Sequence, residues 1–114
     1  MNDDAEAKYG HLWERFFKAA EHLAGARGRV QERLEQAWSG YLLEVGFENH
    51  PATPEGIRAK LNEYEAALAK QPVDANGQIH AWIAGMSEDE ACDVANWIFN
   101  AFLEIMALYN PDTA

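Results

Sequence analysis

A chain of 114 residues with 48% hydrophobic and 11% aromatic side chains is one domain's worth of sequence. It is too apolar for a disordered segment and large enough to bury roughly two-thirds of its unfolded surface without metal or disulfide staples. The formal net charge of −10 must then coat a real core, where it repels nucleic acid and anionic lipid and attracts cationic surfaces.

The first segment carries Tyr9, Leu12, Trp13, Phe16, Phe17, Ala20, Leu23 and Ala24 at three- and four-residue steps, the mark of a helix with one buried stripe. Asp3 or Asp4 is placed to cap its start and complement the dipole. Gly25-Ala26-Arg27-Gly28 interrupts it and predicts a tight helical hairpin. The second helix follows with Val30, Leu34, Trp38, Tyr41, Leu42 and Val45 on one face and Gly46 as its stop. After a loop through Phe47, Glu48, Asn49, His50, Pro51 and Ala52, Thr53-Pro54-Glu55 predicts an N-cap hydroxyl with proline at the first helical position. The third helix continues through Ile57, Leu61, Tyr64 and Leu68 and is the most polar of the set.

Gln71 to Gly77 reads as a loop. Ile79, Trp82, Ile83 and Met86 fit a short helix broken by Gly85. Ser87-Glu88-Asp89-Glu90 is a capping box, the strongest local signal in the chain. The last helix is predicted from Glu88 to Tyr109, ending before Asn110-Pro111. No alternating two-residue pattern of useful length is present. The fold class predicted is therefore all-α: a single-domain antiparallel bundle of four long helices plus one short helix.

Cys92 is the single cysteine, which excludes an internal disulfide, and the acidic start Met1-Asn2-Asp3-Asp4 is unlike a secretion signal. No apolar run approaches the ~20 residues of a bilayer span. The expectation is a cytoplasmic protein that neither enters a membrane nor binds nucleic acid directly.

Charge is distributed unevenly. Lys70 is the last basic residue, and the segment beyond it holds seven carboxylates: Asp74, Glu88, Asp89, Glu90, Asp93, Glu104 and Asp112. The same segment holds Trp82, Trp97, Phe99, Phe102 and Leu103. On a helical wheel, the apolar residues of the last helix sweep about two-thirds of its circumference, wider than one small bundle easily covers. Glu88, Asp89 and Asp93 beside Trp97, Phe99 and Leu103 are therefore the candidate partner-binding residues, an acidic patch with apolar anchors for a partner with a basic surface. The bland alternatives are a central helix buried by its neighbours and carboxylates that only cap it. Homodimerisation is the commonest form such a contact takes. On the first helix, Lys8, His11, Arg15, Lys18 and His22 form a cationic stripe, read either as a solvated face balanced by Glu14 and Glu21 or as a dock for the acidic segment of another copy.

No catalytic, cofactor or metal constellation is evident. No His or Cys pair has zinc-ligand spacing, Glu-x-x-His is absent, and phosphate loops and nucleophile elbows are missing. Cys92, close to Glu90 and Asp93, reads as an inert thiol. Arg15 and His22, with six residues between them, resemble the Arg-x(4–6)-His motif of HEPN ribonucleases, which implies His as acid/base and Arg on the phosphate. Phe16 stands where that family usually has a polar residue, and the negative charge opposes RNA. Gly28-x-Val30-x-Glu32-Arg33-Leu34 and Met86-Ser87-x-x-Glu90-Ala91 resemble a group of small helical bacterial proteins, which implies an all-helical fold and carries no activity. The leading expectation is a non-enzymatic interaction module, of the inhibitor, immunity or antitoxin kind. A self-assembling structural homodimer comes second and a HEPN-like ribonuclease last.

Overall fold

The computed structural model describes residues 3–43, 45, 51–73 and 77–109, with side chains from residue 8 onward. It is all-α among the described residues: α1 (Asp3–Gly25), α2 (Val30–Ala37) continuing into a π-helical turn (Trp38–Leu42), α3 (Glu55–Ala69), α4 (Gln78–Ala84) and α5 (Glu88–Tyr109). The expected four long helices and one short one are present. The Asp3/Asp4 cap, the Gly46 stop, the loop over residues 46–50 and the Asn110-Pro111 stop fall outside the described residues or side chains.

α1 and α5 form the spine. They run antiparallel, since Trp13 meets Phe102 and Tyr109 while Phe16, one turn later, meets Trp97. Leu12, Phe16, Ala19 and Leu23 on α1 and Ala91, Val94, Ile98, Ala101 and Ile105 on α5 supply the buried stripe between them. The small residues on α5 let the two backbones approach closely, and the aromatic side chains of α1 fill the space left at the edges. At Gly28 the chain reverses with φ +108°, a conformation that L side chains rarely adopt. Arg33 then reaches back to donate to the Leu23 carbonyl at 2.6 Å, satisfying an acceptor left open at the end of α1.

Two local predictions shift. The second helix does not remain α-helical: the Leu43 amide bonds to the Trp38 carbonyl, opening one π turn around Gly40. The wider turn keeps both Trp38 and Leu42 fully buried. The N-cap of α3 is Pro54 rather than Thr53, with φ −54° and ψ 144°, so the helix begins at Glu55. Thr53 is buried and its hydroxyl oxygen has no hydrogen-bond partner. Proline is extended here because the chain enters the helix one residue later than its usual first-turn position would require.

The capping box of α5 forms as its sequence requires. The Glu90 amide donates to Ser87 Oγ at 3.1 Å, and the Ser87 amide donates to Glu90 Oε1 at 3.2 Å. Gly77, at φ +89°, opens α4, and the Gln78 side-chain amide donates to the Gln71 carbonyl at 2.9 Å, tying the start of α4 to the start of the preceding loop.

Candidate partner-binding site

The candidate residues of α5 do not form one patch. At about 100° per residue, Glu90 and Asp93 lie within about 40° of Trp97 and Asp89 about 80° from it, whereas Glu88, Phe99 and Leu103 lie about 180°, about 160° and about 120° away from it. The contacts agree. Trp97 faces Tyr64 of α3 at 5.3 Å between ring centroids, on one flank. Phe102, on the other side, packs on Trp13 and Phe17 of α1 at 6.2 and 5.9 Å. The helix therefore offers an acidic flank toward α3 and α4, and an apolar flank beside α1.

The acidic flank is built on aromatic rings. Trp38, fully buried, meets Trp82 and Tyr64 edge-on at 5.1 and 5.7 Å, and Tyr64 continues the chain of rings to Trp97 and thence to Phe16. Edge-to-face pairs of this kind are worth about 0.5–1.5 kcal/mol each beyond area burial, which makes a stiff floor. Trp97 belongs to this floor, half-buried and packed within its own protomer. Over it lies an open groove of about 310 Å³ lined by Glu63, Tyr64, Ala67, Trp82, Met86, Glu90, Asp93 and Val94. Three helices contribute to it, each with one wall.

Three carboxylates thus rim an aromatic floor. Glu90 is held by its reciprocal bond to Ser87, and Glu63 meets Lys60 Nζ at 3.4 Å. Among the described residues, Asp93 has no ion-pair partner, nor have Glu88 and Asp89, which stand exposed at the start of α5. Lys60 also sits 5.0 Å over the Tyr64 ring. The Tyr64 hydroxyl is pushed above its usual value of 10.0, chiefly by burial; Lys60 opposes the rise while Glu63 and Asp93 add to it. The negative field of the groove thus reaches the ring.

On the apolar flank, Phe99 is 36% and Leu103 53% exposed, with half-buried Cys92 and Met106 beside them. Leu108, 40% exposed, lies on the other flank. The over-wide apolar arc read from sequence is thus real at these positions and closed at Trp97.

Among the described residues, His22, Lys8 and His80 make contacts within the chain. His22 Nε2 lies 2.6 Å from Gln36 Oε1 and its ring packs on Tyr41, joining α1 to the second helix. Arg15 shares that face of α1, as the seven-residue offset requires, and is half-buried. Lys8 lies over Tyr9 at 5.2 Å. His80, its side chain 42% exposed, joins α4 to α2 through Nδ1, 3.0 Å from Glu35 Oε1 and 3.2 Å from Oε2. That pair spans 45 residues of sequence, so no local pattern announces it. No group of three or more His, Cys, Asp or Glu side chains suited to a metal ion occurs among the described residues.

By length and composition α5 does pass a test for crossing a bilayer, with a mean hydropathy of 1.3 over its most apolar 18 residues. The sequence expectation that no segment could do so is therefore too strong. Six of its residues are nonetheless committed to the bundle core. Compared with known proteins, the chain matches no family model, no curated protein and no solved structure.

Proposed function

We propose that this chain is a non-enzymatic protein-interaction module whose groove between α3, α4 and α5 receives a cationic side chain from a partner with a basic surface, in the manner of inhibitors, immunity proteins and antitoxins. The observation that carries the reading is the placement of Lys60. The chain's own cation already occupies the rim, over the Tyr64 ring and beside Glu63, while Asp93 across the groove has no counter-ion among the described residues. A guanidinium from outside finds the same carboxylates and the same π-face, and its planar donors suit two carboxylates at once. The ribonuclease reading has less support, because the His22 ring nitrogen it needs for proton transfer is bonded to Gln36.

An octa-arginine peptide, titrated by calorimetry from low to high salt, tests the groove. Binding should weaken steeply as salt screens the charges, and Glu63→Lys with Asp93→Lys should lower affinity at least tenfold. Glu14→Lys with Glu21→Lys on exposed positions of α1 changes net charge equally and should matter much less. Lys60→Ala should tighten binding severalfold by vacating the ring. Equal losses from the two charge-reversed pairs would mean that only overall charge attracts the peptide, and the groove would have no role.

A further inference from the structure

The apolar flank of α5 presents a surface of different chemistry. Residues 94–103 contain no ionisable side chain, in a chain whose formal net charge is −10. Within that stretch Phe99 and Leu103 are exposed, and the polar residues bordering them, Asn96 and Asn100, are neutral amides. A basic partner would gain nothing electrostatic here. Two copies of an acidic chain, by contrast, meet little electrostatic repulsion where both faces are uncharged.

We propose that this flank docks a second copy of the chain, α5 against α5, about a two-fold axis near Phe99 and Leu103. The charge pattern also selects the direction. Glu88 lies on the same side of the helix as Phe99, 11 residues or about 16 Å toward the N-terminus. Parallel pairing sets Glu88 against Glu88 of the other copy; antiparallel pairing carries each Glu88 past the far end of the opposing contact and aligns the helix dipoles favourably. The strip from residue 92 to residue 106 is about 21 Å long and one helix wide, on the order of 10 Å. That strip, roughly 210 Å² per partner, is about a quarter of the ~800 Å² per partner of a standard interface, so the dimer is of the weakest, rapidly reversible kind. Its contacts are separate from the acidic groove, and its salt response is opposite: screening removes repulsion between two negative copies and so tightens the dimer.

Sedimentation over a concentration series reaching about 1 mM decides the matter. The full chain should move from 12.8 kDa toward twice that mass as its concentration rises, and further in 0.5 M than in 0.02 M salt. Phe99→Glu with Leu103→Glu should abolish association with the helical signal intact, whereas Val73→Glu, at another exposed apolar position, should leave it unchanged. Asn100 lies close to its own counterpart near the axis. Asn100→Asp alone and Asn100→Lys alone should therefore each weaken the dimer at least fivefold, and an equimolar mixture of the two should restore it. A wild-type chain that stays at 12.8 kDa throughout overturns the proposal. So does association that ignores Phe99 and Leu103, or a monomer that binds phosphatidylcholine vesicles through those residues, since the face would then serve a bilayer. The groove shares no residue with this flank, so loss of octa-arginine binding in Glu63→Lys with Asp93→Lys tests the groove separately from either result.

Discussion

Replacing Ser87 with alanine removes one hydroxyl and, with it, the acceptor that the Glu90 amide uses at 3.1 Å. The amide lies in the first turn of α5, where no preceding carbonyl is available to it, so it returns to water unpaired by the protein. Loss of an N-cap serine typically costs about 1 kcal/mol. At about 2.1 cal/mol/K per residue, unfolding of 114 residues carries an entropy of about 0.24 kcal/mol/K, so the melting midpoint should fall by about 4 °C. The reciprocal bond, from the Ser87 amide to Glu90 Oε1, makes the two side chains interdependent. In a double-mutant cycle with Glu90→Ala, the paired change should cost less than the sum of the single ones by at least 0.5 kcal/mol. Thermal melts followed by circular dichroism, with glycine at position 87 as a check on backbone effects, supply all the numbers. A midpoint shift below 1 °C for Ser87→Ala, or strict additivity in the cycle, would show that α5 does not depend on the box. Glu90 would then be a groove carboxylate held in place by nothing but its own rotamer preference.

Two further outcomes follow from buried polar atoms. Burial raises the Glu65 carboxyl above its usual 4.5, opposed by the Trp38 indole N–H, and the two stop short of a well-formed hydrogen bond, leaving Trp38 Nε1 and Glu65 Oε1 both unsatisfied. A carboxyl whose folded value is raised favours the fold while protonated; that contribution is complete below 4.5 and lost as pH climbs through the raised value. Glu65→Gln should thus raise the melting midpoint at pH 7, leave it nearly unchanged at pH 4, and flatten the profile between; an equal shift at both pH values would refute the assignment. Thr53→Val keeps the side chain's shape and removes a buried hydroxyl that bonds to nothing, so stability should stay the same or rise slightly, by less than about 1 kcal/mol. A loss above that in urea unfolding would mean that the hydroxyl has a partner.

The sequence was most legible where a local rule determines structure. Ser87 and Glu90 specify their own hydrogen bonds, and α5 begins where the capping box places it. The π turn at Trp38 was not legible, since no local pattern marks it and Trp38 packs against Tyr64 and Trp82, residues 26 and 44 positions away. The His80–Glu35 pair was hidden for the same reason. The candidate patch was half legible. Charge and hydrophobicity along α5 picked out its unusual residues, and a wheel separates Trp97 from Phe99. What the wheel lacks is the position of α3, which closes over Trp97 and turns Asp93 toward Glu63 and Tyr64.

That separation has a consequence for how the two flanks respond to solution conditions. At physiological ionic strength charges are screened beyond about 8 Å, so Glu88, about 16 Å from Phe99 along the helix, contributes little at the apolar strip. At 0.01 M the screening length grows to about 30 Å, and the whole negative charge of each copy is felt there. Carboxylates in the groove act over a few ångströms and retain part of their attraction for a docked cation at any moderate salt. Lowering salt should therefore favour cation binding in the groove, and raising it the pairing of copies whose grooves are empty. A basic partner that neutralises the groove also lowers the net charge of each copy and weakens the repulsion between them. Occupancy of the groove should then promote pairing on the far flank with no conformational change in α5, an effect that grows as salt is reduced. Sedimentation of the chain with and without octa-arginine at 0.02 M salt measures it: the dimer fraction should rise with peptide for wild type, and stay flat for the variant carrying Glu63→Lys and Asp93→Lys.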